Sequence, residues 1–318
     1  AVFITWYSTW EAKDVHQEYD FKVDTQRSSG VINHLKYLVL DLFSSFRIRA
    51  FRLHILIYIF SFTAMDVFGS VFTYYVVYCL SQDAAAVSGW LSIAAFASVP
   101  GTYGFMLLLN RLNMTPSAAL RLSYSCIFLV LAFLFTVYLT KTEVPTLLFS
   151  AVFVLLGAAR SGLYYIPWNI YSFIPDIDEI VTQQRREGIF AGVMVLTRKS
   201  TVAIAIMIIG LVLQESGFVK GSGAQPESAL GAIIGLMIFA TAALLAVSFF
   251  ATYKFKLTRE THKVLLKEIA RRKLGGDYRD CDASTRVVIK QLTGYEYDQV
   301  WGGDATRLAV GENLSTVK

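Results

Sequence analysis

Three ionisable side chains, Asp66, Arg160 and Lys199, fall inside stretches that are otherwise apolar. Such a charge is costly in hydrocarbon unless it is paired or hydrated. Asp66 lies 14 residues beyond Arg52, or about 21 Å of helix. Lys199 lies 12 residues beyond Glu187, or about 18 Å, on a segment entering from the same side. Arg160 lies 16 residues before Asp176, or about 24 Å, on a segment running the other way. Three charges on three segments therefore share a depth near the middle of a bilayer. Asp66 and Lys199 are the expected couple. They pair either around a water-filled cavity that receives a polar solute or as a bridge that only fixes packing. Arg198 is turned about 100° from Lys199 and is expected to face elsewhere.

The neighbours of these charges sharpen the chemistry. Asp66, Ser70, Thr73 and Tyr74 share one side of their segment. Arg160, Tyr164 and Trp168 recur every fourth residue, with Asn169 and Tyr171 nearer the segment's end. Aromatic faces stack on the C–H faces of sugar rings, and Asp, Arg and Asn offer paired hydrogen bonds to hydroxyls. Tyr164 and Trp168 fit helix packing or an interfacial belt equally well. A second cluster holds Asp176, Asp178, Glu179, Arg185, Arg186 and Glu187. It is either a set of ion pairs closing an inner gate or a solvated, helix-capping loop. There is no HExxH, GxSxG or phosphate loop, and His16, His34, His54 and His262 are scattered. Neither an enzyme nor an ATP-driven pump is indicated. Cys79, Cys126 and Cys281 share no close spacing, so no metal centre or other cofactor is expected.

Six stretches must position these residues, roughly 53–80, 89–109, 118–139, 145–166, 189–213 and 229–252. Each is long enough, at about 20 residues, to cross a bilayer as a helix. Hydrophobic residues reach 55% against 17% charged, and mean hydropathy is +0.49, which sets the chain apart from soluble domains. Period-two alternation is lacking, which excludes a barrel. The fold class is thus all-α integral membrane. Gly157, Ala158, Ala159, Ser161 and Gly162 let helices approach closely. Pro100 with Gly101 and Gly104, and Pro167, mark expected kinks.

The excess of basic residues sits at segment ends and gives no hint of nucleic-acid binding. Lys36, Arg47, Arg49, Arg52, Arg111, Arg121, Arg185, Arg186, Lys254, Lys256, Arg259 and Lys263 lie on one side, whereas the alternate loops hold Lys141 and Lys220. Basic residues mark the cytoplasmic side, so both ends of this multi-pass chain are expected there. Residues 1–10 read as the end of a preceding helix that has been cut away. Residues 11–52 read as a cytoplasmic loop carrying an amphipathic helix (Leu35, Leu38, Val39, Leu42, Phe43, Phe46). The bundle follows over 53–252. The tail, 253–318, begins with another amphipathic helix (Val264, Leu265, Ile269, Leu274), and partial disorder is expected from Gly275 onward.

The stretch PDIDEIVTQQRREGIFAGVMVLTRKSTVAIAI, residues 175–206, resembles the signature around helices ten and eleven of the glycoside–pentoside–hexuronide:cation symporters, a major facilitator superfamily family. Asp176, Asp178 and Glu179 match its acidic cluster, Arg185, Arg186, Glu187 and Gly188 its basic–acidic step, and Lys199 its helix-eleven lysine. FRLHILIYIFSFTAMDVFGSVFTYYVVYCL resembles helix seven, and KFKLTRETHKVLLKEIARRK resembles the tail after helix twelve. Ser172, Phe173 and Ile174 stand where the family usually has a further acid, and Arg160 stands where a small or apolar residue is expected. The resemblance implies the C-terminal six-helix bundle of a sugar:cation symporter in the plasma (inner) membrane. Its partners would be the lipid bilayer, a sugar or glycoside, and a missing N-terminal half holding the site for the coupling cation, H⁺ or Na⁺. A lipid or lysolipid carrier of the same superfamily is the alternative.

Overall fold

A computed structural model describes residues 44–141 and 144–301 of the chain. The expectations for residues 1–43 lie outside these. All regular structure among the described residues is helical. Helix α1 (Arg49–Tyr74) runs on into one π turn, Tyr75–Cys79. Next come α2 (Ala84–Asn110), α3 (Pro116–Thr140) and α4 (Thr146–Tyr171). A short α5 (Ile174–Thr182) leads to α6 (Glu187–Glu215). The last crossing joins α7 (Glu227–Ile234), a π segment (Gly235–Ala240) and α8 (Thr241–Lys254). Two helices follow, α9 (Arg259–Lys273) and α10 (Ala283–Thr293). Among the described residues, six helices are long and apolar enough to cross a membrane, as the hydropathy pattern predicts.

Helix starts follow from local chemistry. The Ala86 N–H donates to the Asp83 carboxylate at 2.9 Å, and Thr115 caps α3 just ahead of Pro116. Pro100 and Pro167 both lie within continuous helix. In α2 and α4, small residues set the packing. A Cβ on Gly157 would lie 2.0 Å from the Ala94 carbonyl oxygen, and one on Gly101 would lie 2.7 Å from the Ala158 Cα. The α2–α4 contact is therefore backbone against backbone. Gly157→Ala is expected to cost about 1–3 kcal/mol by overpacking, whereas Gly104→Ala meets nothing within 4 Å and should gain a few tenths from helix propensity. Thermal melting of the two variants in detergent checks the contrast.

Buried hydroxyls tie the other helices together. Tyr124 Oη and Ser61 Oγ lie 2.8 Å apart between α3 and α1. The Ser248 hydroxyl donates to the Ile57 carbonyl at 3.2 Å, joining α8 to α1. In contrast, α2 and α6 leave large apolar side chains uncovered, among them Phe96, Val99, Leu196, Ile206 and Met207.

The tail differs from expectation. Residues 275–301 fold back as α10 and two short 3-10 turns, burying Ile289, Leu292 and Val300. The Trp301 N–H donates to the Ile180 carbonyl of α5 at 3.1 Å. Asp282 caps α10, and bonds from Ser284 and Thr285 hold its carboxyl down at about 2. Gly294, at φ +87°, ends that helix in the left-handed conformation that favours glycine. These local polar devices, rather than hydrophobic density, fix the segment, which is why its composition reads as disorder.

At the centre of the tail Glu268 is buried, and Arg271 donates to it from Nε and Nη2 at 2.9 and 2.8 Å. The Tyr297 hydroxyl donates to the same carboxylate. Burial by itself raises the Glu268 pKa, but the Arg271 and Tyr297 bonds and the nearby Arg271 and Arg272 charges prevail and hold it below the usual carboxylate range. A folded value below the unfolded one gives stability that is full above about pH 4.3 and is lost as pH falls through the folded value. The tail should loosen in that acid range, read as faster reaction of the buried Cys281 thiol with an acid-active disulfide reagent. Glu268→Gln should react faster already at neutral pH and lose the pH response.

Candidate functional site

Two series of every-fourth residues meet face to face. On α1 they are Tyr58, Phe62 and Asp66; on α4 they are Trp168, Tyr164 and Arg160, in reverse order because the helices are antiparallel. Tyr58 meets Trp168 edge-on with ring centroids 5.9 Å apart, and Phe62 meets Tyr164 edge-on at 4.6 Å. Tyr58 and Phe62 also touch along α1 at 4.4 Å. Trp168 continues to Tyr171 at 5.8 Å. The result is a column of rings whose far end carries charge.

That end is closed by α6. The Arg198 guanidinium donates to both Asp66 carboxylate oxygens, at 2.5 and 2.9 Å, and lies 5.2 Å from the Phe62 ring centroid. On α4 the Arg160 guanidinium lies 5.1 Å from the Tyr164 ring and donates to its hydroxyl at 3.1 Å. Both guanidiniums thus stack on the Phe62–Tyr164 rung, a contact that favours cations. The Asp66 and Arg198 side chains remain 23% and 20% exposed, so the pair borders an open face rather than lying sealed in the core.

The expected Asp66–Lys199 couple is corrected: Arg198 is the partner. Phe190 and Met194 are buried at four-residue steps along α6, and Arg198 is the next step on that inward stripe. Lys199 is one residue further round, is exposed, and has no ion-pair partner among the described residues. Ser70 and Thr73 lie exposed on α1 beyond Asp66. Tyr74 is two turns away and packs with Tyr78 and Phe218 at 6.4 and 5.3 Å. Sequence reasoning missed Tyr58, Phe62 and Arg198. The mirrored four-residue spacing of Tyr58, Phe62 and Asp66 was the available signal for the first two.

The acids Asp176, Asp178 and Glu179 of the 176–187 cluster lie on α5, every residue of which is buried, whereas Arg185 and Glu187 lie beyond it and are exposed. Arg186 grips Asp178 in two bonds of 2.7 and 2.8 Å and also donates to Ser44 Oγ at 3.1 Å. Arg185 reaches Glu187 at 2.6 Å and Asp176 at 3.6 Å. Two partners come from the tail. His262 Nε2 lies 2.7 Å from the second Asp176 oxygen, with its ring stacked on Phe173 at 4.2 Å, and Lys273 Nζ lies 2.5 Å from Glu179. The Tyr171 hydroxyl donates to the Glu187 carbonyl at 3.0 Å, joining the end of α4 to the start of α6. His262 gave no signal in the sequence, because its partner lies 86 residues away.

A membrane bundle with charges at mid-depth, at the end of a column of rings whose α1 members Tyr58 and Phe62 are buried, is the setting for comparison with known proteins. The family described as MFS/sugar transport protein matches residues 2–259. The chain belongs to that family. As a member of the MFS sugar-transport family it is also similar to "Uncharacterized symporter sll1374" of Synechocystis sp. (strain ATCC 27184 / PCC 6803 / Kazusa). Identity is 28% over 266 residues, covering 80% of this chain and 47% of that protein. The chain thus spans about half the length of this relative.

Proposed function

We propose that this chain forms the C-terminal bundle of a sugar:cation symporter working by alternating access, with Asp66, Arg198 and the ring column as its share of the cargo site. The observation that carries the reading is the antiparallel ring column ending in a bidentate carboxylate–guanidinium pair. Half-buried Tyr164 and exposed Trp168 would supply faces for the C–H side of a sugar, and the charged pair and Arg160 would supply directional bonds to oxygens. Ser70, Trp168 and Lys199 are exposed and would be further contacts for cargo. The second bundle would cover these residues, and rocking of the two bundles would expose the cargo to either side. The coupling cation, H⁺ or Na⁺, would be held by the N-terminal half. The ion pairs around Asp176, Asp178 and Glu179 would brace the inner gate.

Both ends of the chain are placed in the cytoplasm on the charge bias. In a cysteine-free background, cysteines placed at exposed Ser81 and Ser284 should react with an impermeant thiol reagent from outside and inside respectively. The reverse pattern would invert the orientation.

Vesicles holding this chain alone are expected to show no accumulation of labelled sugar under an imposed Na⁺ or H⁺ gradient. Supplying the upstream helices should restore it, and Phe62→Ala or Tyr164→Ala should then lower uptake by about 3–10-fold. Gradient-driven accumulation by this chain alone would overturn the half-transporter reading. Restored uptake of lysolipid but not sugar would make it a lipid carrier.

A further inference from the structure

Basic residues at the α5 end of the bundle fall into two groups. Arg185, Arg186, Arg271 and Lys273 meet Glu187, Asp178, Glu268 and Glu179. The second group has no such partners. Arg111 follows α2, Arg121 lies in the second turn of α3, and Lys254, Lys256 and Arg259 run from the end of α8 to the start of α9. Folding gathers these segments into one corner. The Ser117 hydroxyl of α3 donates to the Phe255 carbonyl at 3.0 Å, and Arg259 donates to the side-chain oxygen of Asn110 at the end of α2. The Arg121 guanidinium lies 4.7 Å from the Tyr253 ring centroid and reaches the Thr252 hydroxyl at 3.5 Å. Among the described residues, none of the five is paired with an Asp or Glu. The acid beside them in sequence is Glu260, in the first turn of α9.

The corner has shape as well as charge. Beyond α8 the chain is extended, so buried Phe255 and Leu257 alternate with exposed Lys254 and Lys256. Arg121 is half-buried, and the Tyr253 ring sets the plane of its fork while most of its N–H donors stay unspent. Leu112, Leu122, Phe250 and Tyr253 are exposed on the same helix ends. Cations at the end of a crossing beside an uncovered apolar wall match the two parts of a charged lipid. We propose that this corner seats one anionic phospholipid of the adjoining leaflet, as a resident lipid and not as cargo. Its phosphate lies on the Arg121 fork, whose parallel donors suit phosphate oxygens, with Lys254 and Lys256 closing over it. Its chains run along Leu122 and Phe250. None of Tyr58, Phe62, Asp66, Arg160, Tyr164 and Arg198 takes part, so the seat stands apart from the symport reading.

The test uses the protein in its complete reading frame, stripped of lipid in detergent. The probes are phosphatidylglycerol and phosphatidylcholine with identical chains, and bound lipid is counted by native mass spectrometry. The wild type should hold one phosphatidylglycerol about 10-fold or more tighter than phosphatidylcholine. Lys254→Gln with Lys256→Gln, both at exposed positions where substitution spares the fold, should weaken phosphatidylglycerol about 5-fold for each charge removed and leave phosphatidylcholine unchanged. Tyr253→Ala keeps every charge but releases the Arg121 fork, and should weaken phosphatidylglycerol about 3-fold. Lys267→Gln with Arg279→Gln removes two exposed charges further along the tail and should change nothing. An equal loss in that control pair means diffuse attraction and overturns the proposal. So does equal binding of the two lipids by the wild type. Inorganic phosphate that raises the melting temperature of the wild type as much as phosphatidylglycerol does would make the corner a free-anion site, and the lipid assignment falls. No sugar uptake is measured, so none of these outcomes bears on the symport reading.

Discussion

Arg186→Gln is expected to destabilise the α5 end of the bundle by about 3–5 kcal/mol, the cost of breaking a buried ion pair by removing one member. Asp178 is fully buried and Arg186 is 12% exposed, so water cannot replace the lost bonds. Asp178→Asn should be costly for the converse reason. The double variant should cost clearly less than the sum of the two, because neither charge is then stranded. Thermal melting of the four proteins in detergent gives the coupling directly. For contrast, Lys290 and Glu296 also pair but are 58% and 56% exposed, and breaking that pair should change stability by less than about 1 kcal/mol. Simple additivity at Asp178 and Arg186 would show that the buried pair is not a unit.

The second large effect lies in the candidate cargo site. Asp66→Asn is expected to cost about 3 kcal/mol, toward the lower end for breaking a buried pair because both side chains keep some exposure. Arg198→Gln added to it should recover most of the folded yield, whereas Lys199→Gln should not. The choice between the two rescues is the informative measurement. Rescue by Lys199→Gln alone would mean that α6 is rotated by one residue from the position described above. Sugar uptake need not return with folding, since either group can also contact cargo.

That rotation is what the sequence could not convey. The six crossings were legible because length and apolar composition alone define them, and the depth of Asp66 follows from counting residues. The contact of Gly157 with Ala94 was legible as a small-residue stripe, though not which helix it would meet. Helix α6 is apolar nearly all the way round, so no amphipathic phase tells which of Arg198 and Lys199 turns inward. The preceding Phe190 and Met194 mark the stripe only once their burial is seen. The order of residues 275–301 escaped for a different reason. It rests on the Asp282 cap, the left-handed Gly294 and the bond from the Trp301 N–H to Ile180, devices of single residues that composition does not reveal.

Helix α5 has a mechanical consequence. It joins the end of α4 to the start of α6, and it is gripped by Arg186 from the loop that follows and by His262, Lys273 and the Trp301 N–H from the tail. Helix α6, which carries Arg198, is therefore anchored in this support and little covered along the rest of its length, whereas α4, which carries Arg160, is also held along its length, backbone against backbone with α2 at Gly157. For a beam fixed at one end, deflection under a given load grows steeply with distance from the support. Arg198 stands 11 residues from the first residue of α6, or about 16 Å along the axis, whereas Arg160 stands three residues beyond the Gly157 contact. Arg198 thus sits on the more compliant of the two helices and Arg160 on the stiffer one. A load that drew the two guanidiniums together would move α6 toward α4 and leave α4 nearly still.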